Sequence, residues 1–433
     1  MRLEATPPAS VPEPSPGGWA PSPPHSTWQT TRLPALSRTE LRAVIDVMPA
    51  WLFKRAWTPP DGADGPRLWE YIDRHGLGGA LGALATEGYV GEHNIAELAR
   101  DRYLSNSLHY DRAKLLCRRV SLAANRAGAR LLNFKGPVLT SQAYDDSGVR
   151  GFSDIDLWSD SRAGLLSLIA ESGAQVIEDC DQAGLVRRIR GPGCIRVELG
   201  GWEIEARYPT THATDPMLQV LSELNLSNWP AGTGSIAVPD PSRHLLILLY
   251  HTAWYHYFSR FIWFLDIAAM VVRQKDQIDL DWIGHQVRRL GTTNALGAVS
   301  AFCRTYIDPE FPSFPLHRDA WNARFVRITC DPGMIASGRF SLQQSGPIHA
   351  FRILGLRSLR HYLLADPYEG SLLKAPSFQW LRATLAWGTP NIGKRTGFVL
   401  SAIIAAFLYP FARVVARATT GSFDTRKDEI ALS

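Results

Sequence analysis

The order of apolar runs and helix signals between residues 129 and 199 limits the fold of this 433-residue chain most strongly. The pattern predicts strands at 130–134, 152–158, 175–179, 185–190 and 194–199, with helices at 137–144 and 161–172. The last two strands flank Gly191-Pro192-Gly193, which predicts a hairpin turn. The resulting β-α-β-α-β-β-β order predicts a small α/β unit with a mixed sheet.

Two acidic residues, Asp154 and Asp156, lie one residue apart on the second predicted strand. Because side chains alternate along a strand, both carboxylates point to the same face of the sheet. Carboxylate oxygens are ligands of Mg²⁺, which commonly bridges protein carboxylates and substrate phosphates. The pair therefore predicts a site for two Mg²⁺ ions, with Mn²⁺ as an alternative.

The residues just before this strand suit a polyphosphate. Lys135 and Gly136 lie between the first predicted strand and a short helix. Glycine permits a close approach of the backbone, and the N–H groups at a helix start attract anions. Arg150 and Ser153 immediately precede the carboxylate pair. We therefore predict that these four residues bind a nucleoside triphosphate (NTP), which leads to the hypothesis of metal-dependent nucleotide transfer.

Nucleotide transfer with two metal ions usually needs a third carboxylate. Glu198, near the end of the strand 194–199, is the predicted third ligand, and it would also accept a proton from the attacking hydroxyl. The sequence offers no reason to prefer Asp145, Asp146 or Glu203 as ligands. Structural interpretations stay open, because Arg150 could pair with Asp154 and Glu198 could be an ordinary solvent-facing residue.

The flanking regions are predicted to be largely helical. Residues 1–35 contain nine prolines and few apolar residues, which predicts a disordered leader. A helical region is expected at 36–128, starting at a capping box formed by Ser37 and Glu40 and ending in a long helix from Asn94 to about Ala127. The catalytic core is expected at 129–239, a helical domain packed on it at 240–310, and a further helical region at 311–433.

An apolar segment, 397–412, lies near the C-terminus. Lys394 and Arg395 precede it, and Arg413 and Arg417 follow it. The segment is shorter than the roughly 20 residues that a membrane span requires, and it contains Pro410. Three interpretations stay open, namely a core helix, an interfacial helix that contacts a membrane surface, and a short span.

Composition narrows the partners and the compartment. A net charge of +5 fits anionic nucleotides and an anionic membrane surface equally well. The arginines are dispersed along the chain, which does not favour a nucleic-acid partner. None of the five cysteines has the C-x₂₋₄-C spacing of a structural zinc site. Their odd number, with no secretory apolar segment near residue 1, predicts reduced thiols of a cytoplasmic protein, with peripheral attachment to the inner face of the membrane as an alternative.

Two histidines among the aromatic residues after position 250 also suggest a metal site. His251 and His256 are five residues apart, a spacing that turns side chains away from a shared face of an α-helix. We therefore predict hydrogen bonding in the core or between domains rather than metal binding. The aromatic run from Trp254 to Trp263 is predicted to serve packing.

Taken together, these motifs resemble a known family. The run Phe134-Lys135-Gly136, then Tyr144-Asp145, then Arg150-Gly151-Phe152-Ser153-Asp154-Ile155-Asp156-Leu157 is similar to the uncharacterised nucleotidyltransferase family, within the DNA polymerase β-type superfamily. The segment 245–269 resembles the helical region that follows the catalytic sheet in that family. The resemblance spans about 95–310.

This resemblance implies an α+β fold with a small mixed-sheet, polymerase β-like core between helical regions. It also implies a Mg²⁺-dependent site in which Asp154 and Asp156 are metal ligands and Lys135, Gly136 and Arg150 lie near the phosphates. The implied acceptor is a small molecule, a peptide or a glycan precursor, as in polysaccharide or modified-peptide biosynthesis.

The sequence departs from the family pattern at one position. Gly200 stands where the family often has a histidine after an acidic residue and leucine. The difference concerns the acceptor side and leaves the metal pair intact. A non-catalytic nucleotide-binding module therefore stays open as an alternative to an active enzyme. The apolar segment 397–412 leaves a second alternative open, a membrane-surface accessory protein.

Overall fold

The computed structural model describes residues 36–91, 93–179, 193–209, 236–256, 258–290, 293–312 and 332–336. The predicted leader 1–35, the predicted strand 185–190 and the apolar segment 397–412 lie outside these residues. Within the described ranges, no helix combines the length and the apolar character that crossing a membrane requires.

A mixed sheet forms the centre of the fold. Its six strands are β1 (Leu131–Asn133), β2 (Asp154–Ser159), β3 (Gln175–Asp179), β4 (Cys194–Leu199), β5 (Trp202–Arg207) and β6 (Ile236–Ala237). They are arranged in the order β3-β4-β5-β2-β1-β6. Strand β2 is antiparallel to β1 and parallel to β5, while β4 is antiparallel to both β3 and β5. The predicted α+β class is confirmed.

Helices precede, interrupt and follow this sheet. The N-terminal helices are α1 (Arg38–Leu52), α2 (Gly65–Arg74), α3 (Gly78–Thr86) and α4 (Asn94–Ala127). Within the sheet region lie α5 (Pro137–Ala143) and α6 (Arg162–Ser172). The later helices are α7 (Pro241–Tyr250), α8 (Ile262–Arg273), α9 (Leu280–Arg289), α10 (Thr293–Tyr306) and α11 (Pro332–Ala336). A π-helical turn (His251–Tyr255) follows α7, and a 3₁₀ turn (Lys275–Gln277) follows α8.

The helix boundaries follow from capping. The Ser37 hydroxyl accepts the Glu40 N–H, and the Glu40 carboxylate accepts the Ser37 N–H at 2.8 Å, so the predicted capping box is present. At α7 and α9 the cap is a single bond, in which the carboxylates of Asp240 and Asp279 accept the backbone N–H of Arg243 and Trp282. Helix α4 ends at Gly128, which adopts the left-handed conformation (φ 63°) that glycine tolerates best.

Each face of the sheet is covered by its own hydrophobic core. The first core contains Leu132 and Trp158 together with the N-terminal helices and α7 to α10. The second contains Ile155 and Leu157 together with α6 and the C-terminal half of α4. The N-terminal helices up to the first part of α4 thus meet the helices after residue 240 in one core on one face of the sheet, and the second part of α4 packs on the other face.

The β4–β5 hairpin differs from the predicted layout. Its turn is formed by Gly200 (φ 62°) and Gly201 (φ 80°), and positive φ at two successive residues is typical of a tight two-residue hairpin turn. Position 200 is therefore at a turn, where a side chain would be strained. This gives a physical reason for glycine where the family often has histidine.

Candidate active site

Four carboxylates lie side by side on two parallel strands. Asp154 on β2 is opposite Glu203 on β5, and Asp156 is opposite Glu205. Paired residues of neighbouring strands share a face, so all four side chains emerge on one side of the sheet. This is also the side of Trp158, which faces the first core, so the acidic row opens toward the helices that follow the sheet.

The acidic row is electrostatically strained. Burial raises the pKa of Asp154 from 3.8 to about 7, and the Asp156 carboxylate adds to the effect. Glu205 and Glu203 raise this pKa further, whereas Lys135 lowers it. The Lys135 Nζ lies 3.0 Å from Oδ1 of Asp156, and both side chains are largely buried. The two glutamates pair with Arg196 and Arg207, whereas Lys135 pairs with Asp156, so the aspartate pair is the part of the row that can attract a further cation.

This shift predicts a pH dependence of stability without metal ions. Folded Asp154 keeps its proton up to about pH 7, whereas the unfolded chain loses it near pH 3.8. The free energy of unfolding should therefore fall as pH rises between these values. With a chelator present, we expect the free energy of unfolding to fall by about 2 kcal/mol. This is roughly half of the value for an isolated carboxyl with the same shift in pKa, because neighbouring carboxylates share protons.

Denaturant unfolding at several pH values would measure this dependence. Asp154→Asn should flatten the pH profile and make the variant more stable than the wild type at pH 8. An unchanged slope in Asp154→Asn would contradict the assignment of the shift to this carboxyl.

The donor set fits a Mg²⁺ ion that phosphates help to bind. Asp154 and Asp156 offer hard oxygen ligands, and after burial the neighbouring Asp156 carboxylate is the largest cause of the raised pKa of Asp154, so a cation between them would relieve their repulsion. Across the described part of the chain, no group of three or more His, Cys, Asp and Glu side chains is arranged to hold a metal ion. Mg²⁺ commonly uses one or two carboxylates and completes its coordination with substrate phosphates and water.

The turn after β1 brings Lys135 to these carboxylates. Gly136 has φ 54° and ψ −119°, a conformation that only glycine adopts readily. A Cβ atom at this position would lie 3.2 Å from the carbonyl oxygen of Asp154, so a larger residue would push the turn away from β2. The glycine thus permits the close approach on which the Lys135–Asp156 contact depends.

Arg150 is engaged in a buried ion pair rather than exposed to the site. Its Nε donates to Oδ1 of Asp266 at 3.2 Å, and its Nη2 donates to Oδ2 at 3.1 Å. The Tyr144 hydroxyl donates to the same Asp266 at 2.5 Å. Asp266 lies on α8, so these bonds connect the catalytic sheet to the following helices. The alternative pairing of Arg150 with Asp154 is wrong, because the partner is Asp266.

The remaining predicted site residues are Ser153 and Glu198. Ser153 is exposed just before β2. Glu198 is on β4, two strands from Asp154, with Glu203 between them. The Glu198 carboxylate accepts the N–H of Gly201 at 2.9 Å in the hairpin turn. The role of Glu198 as metal ligand and base stays a prediction.

Strand β5 was not predicted from the sequence, Glu203 was named without a role, and Glu205 was not considered. The stretch Glu203-Ile204-Glu205-Ala206-Arg207 alternates polar and apolar residues, and Gly200-Gly201 precedes it. These are the usual signals of a hairpin strand and would have placed both glutamates on one face. Arg207 donates to Oε1 of Glu205 at 2.9 Å from Nε and 2.6 Å from Nη2.

The two histidines contact each other, so the prediction that they point apart is wrong. The Nε2 atoms of His251 and His256 are 2.8 Å apart, and the His256 ring stacks on Trp263 at 4.0 Å. The cause is the π-helical turn, in which the His256 N–H donates to the His251 carbonyl and residues five apart align. The predicted hydrogen bonding agrees with this contact.

The histidine pair borders the candidate active site. Burial lowers the pKa of His251 well below its usual range, and Lys135, His256, Arg150 and Arg207 lower it further. Since Lys135 and Arg207 are close enough to lower the pKa of His251, the π-helical turn faces the region between Lys135 and β5. Helices after the sheet thus form one wall of the site.

Helix α4 fixes the loop that leads into β2. The Tyr103 hydroxyl donates to Asp146 at 2.5 Å, and the Asn106 side chain donates to the Gly148 carbonyl at 3.0 Å. His109, one turn later, packs against Phe152 with ring centroids 5.4 Å apart. The inner side of α4 therefore holds the backbone that carries Arg150 and Asp154.

Comparisons with known proteins bear on this arrangement. Searches of curated proteins and of solved structures gave no match. The family model described as uncharacterised nucleotidyltransferase matches residues 61–308, more than half of the chain. The match includes the acidic strands, the Lys135 turn and the helices around them, and it confirms the predicted resemblance. The chain belongs to the uncharacterised nucleotidyltransferase family.

Proposed function

We propose that the protein transfers a nucleoside monophosphate from an NTP to a hydroxyl or phosphate acceptor in a Mg²⁺-dependent reaction. The proposal rests on the acidic pair Asp154 and Asp156, which lies on one strand beside Lys135 and in which the pKa of Asp154 is raised. Membership of the nucleotidyltransferase family supports the same class of reaction.

Each residue of the pair has a part in this proposal. Asp154 and Asp156 would hold Mg²⁺, which neutralises charge on the reacting phosphate oxygens when bound. Lys135, released from Asp156 as the cation binds, would then contact the phosphates. The backbone at Gly136 lies close enough to β2 for the triphosphate to approach its N–H groups.

Two glutamates compete for the role of third carboxylate. Glu198 was predicted from the sequence, whereas Glu205 lies directly opposite Asp156 and contributes to the raised pKa of Asp154. We infer that Glu205 is better placed than Glu198, since a strand neighbour lies about 5 Å away and a second neighbour about 10 Å. Glu203, opposite Asp154, is equally near, and it pairs with Arg196 as Glu205 pairs with Arg207.

Paired substitutions separate these candidates. Glu205→Gln should lower turnover by about 10²-fold, the usual cost of removing one charged group from a preorganised site. Glu198→Gln should change turnover less than about threefold, because its carboxylate accepts a backbone N–H at the hairpin turn. Pyrophosphate release would measure turnover of both variants. A larger loss in Glu198→Gln than in Glu205→Gln would make Glu198 the better candidate for the third carboxylate.

A thermal-shift panel tests the proposed substrate class. Each of the four common NTPs would be added with Mg²⁺, and with a chelator as the control. A ligand at 100 times its Kd stabilises the folded protein by about 2.7 kcal/mol, which such an assay detects. A Mg²⁺-dependent shift that Asp154→Asn/Asp156→Asn removes supports the proposal and identifies the nucleotide. The absence of a shift with every NTP contradicts it.

Gly200 favours a second candidate, a non-catalytic nucleotide-binding module. The turn at Gly200 occupies the position where the family often has a histidine, so the acceptor side differs from the family pattern. This alternative predicts a Mg²⁺-dependent shift with an NTP but no pyrophosphate release with hydroxyl or phosphate acceptors. Pyrophosphate release that depends on an added acceptor excludes it.

A further inference from the structure

Arg260 lies between the π-helical turn and helix α8, and it has no counter-ion of its own among the described residues. Its side chain is half-buried, yet within those ranges it forms neither a hydrogen bond nor an ion pair. Burial lowers the pKa of Arg260, and the nearby charge of Arg150 lowers it further. A guanidinium taken out of water without a compensating negative charge is unfavourable. The position therefore favours an anion from outside the chain.

The charged residues around Arg260 already have partners. Its pKa responds to one member of each of three ion pairs: Arg102–Asp73 at 2.7 Å, Arg74–Glu70 at 2.9 Å and Arg150–Asp266 at 3.1 Å. Asp73 attracts Arg260, but its carboxylate already accepts an N–H of Arg102. Each pair is neutral, so Arg260 adds one positive charge that its described neighbours do not balance.

Buried residues hold the backbone on both sides of Arg260. Phe258 has φ 56°, a left-handed conformation that is an outlier for a bulky residue, and its N–H donates to the Thr252 carbonyl at 2.9 Å. The Ile262 N–H donates to the His75 carbonyl at 3.1 Å, which ties the start of α8 to the end of α2. Backbone strain held by packing is found at ligand sites, where it fixes groups before the ligand arrives. Binding at Arg260 thus requires little ordering of its backbone.

Arg260 is next to a wall of the candidate active site. Four residues before it, His256 packs on Trp263 and follows the π-helical turn that borders the site. Arg150, whose charge acts on Arg260, is four residues before Asp154 in the sequence. A substrate with its reacting phosphate at the acidic pair could therefore extend toward Arg260.

We propose that Arg260 binds a phosphate group of a substrate at the edge of the candidate active site. A phosphate accepts two parallel N–H bonds from one guanidinium and supplies the negative charge that the neighbours of Arg260 do not. The inference rests on the proposed nucleotide transfer for the source of the phosphate, which is either the triphosphate or a phosphorylated acceptor. Binding itself can be measured without turnover.

Arg260→Met should leave the protein at least as stable to urea as the wild type when no anion is added. The substitution replaces an unbalanced guanidinium by an apolar side chain of similar length, so no partner is left unpaired. Arg102→Met is the matched comparison, because it leaves the largely buried Asp73 carboxylate without its ion pair and should be destabilised. A comparable loss in both variants would show a structural role for Arg260 and would contradict the proposal.

Inorganic phosphate, added with a chelator, tests the anion site apart from the metal pair. Phosphate should raise the Tm of the full chain, with sodium chloride at equal ionic strength as the control. Arg260→Met should raise the apparent Kd for phosphate by about 10-fold or more, the usual cost of losing a hydrogen bond to a charged group. Arg260→Lys keeps the charge but not the paired donors, so it should lose less. Arg126→Met, at a surface ion pair with Glu171, should bind phosphate like the wild type.

Competition identifies the source of the phosphate. An NTP analogue with a methylene group between the α- and β-phosphates would be bound with Mg²⁺ at saturation. If the triphosphate occupies Arg260, the analogue abolishes the phosphate shift and binds about 10-fold or more weakly to Arg260→Met. If an acceptor phosphate occupies it, phosphate still stabilises the analogue-bound protein, and the Kd of the analogue is the same in Arg260→Met.

Two results would overturn the proposal. One is equal binding, or equal lack of binding, of phosphate, pyrophosphate and the NTP analogue by Arg260→Met and the wild type. The other is the parallel loss of stability in Arg260→Met and Arg102→Met. A phosphate shift that requires Arg260, with no shift for any NTP, would support the anion site while contradicting the proposed nucleotide transfer.

Discussion

Asp154→Asn and Asp156→Asn are each expected to lower turnover by a factor of about 10³ or more. Each substitution removes a negative oxygen that the proposed Mg²⁺ site requires, and metal stabilisation of a phosphoryl transition state contributes several kcal/mol. Pyrophosphate release would measure the loss with the NTP that the thermal-shift panel identifies. The Asn side chain keeps the size of Asp, so the loss reports charge rather than packing.

Stability measurements separate this effect from misfolding. Asp154→Asn should be at least as stable as the wild type without metal, because the raised pKa of Asp154 shows that its charge is unfavourable in the fold. Asp160→Asn is a matched control just beyond β2, where the carboxylate forms a surface ion pair with Arg130 at 2.7 Å. It should retain turnover. Turnover that survives both active-site substitutions would refute the metal site.

Asp266→Asn is expected to lower the free energy of unfolding by about 3 to 5 kcal/mol. The substitution leaves Arg150 charged, buried and without its counter-ion, which is among the most costly changes in a protein interior. The Asn amide group would also face the Arg150 guanidinium as a second donor. Urea unfolding, with the transition monitored by tryptophan fluorescence, would measure the loss.

Two further variants test whether the Arg150–Asp266 ion pair accounts for the loss of unfolding free energy in Asp266→Asn. Tyr144→Phe removes one hydrogen bond to Asp266 but keeps the ion pair, so it should cost about 1.5 to 3 kcal/mol. Arg150→Met/Asp266→Leu replaces both charges by apolar side chains and should recover much of the stability lost in Asp266→Asn. A change below about 1 kcal/mol in Asp266→Asn would show that the pair does not hold the sheet to α8.

The sequence predicted those elements whose determinants are local. The bounds of α4, β3 and β4 follow from capping residues, periodicity and turn glycines, and they match the structure at 94–127, 175–179 and 194–199. Strand β6 is only two residues long and depends on pairing with β1, so its own sequence carries almost no pattern. Strand β5 had a pattern that was overlooked.

In the candidate site, too, the sequence predicted those features that depend on local residues. The same-face placement of Asp154 and Asp156 follows from strand alternation, and Lys135 follows from the glycine turn beside it. The pairing of Arg150 with Asp266 joins residues 116 positions apart, so no local pattern indicates it. The His251–His256 contact depends on one extra residue in a helical turn, a backbone choice that packing imposes.

Helix α4 belongs to both hydrophobic cores, and this bears on how the protein unfolds. Ile95 and Ala99 in its first part are buried in the first core, while Leu116 and Val120 in its second part are buried in the second. One core could melt alone only if the helix broke in its middle, with loss of consecutive backbone hydrogen bonds. The two halves of the protein should therefore lose structure in a single cooperative transition, despite the sheet that separates them.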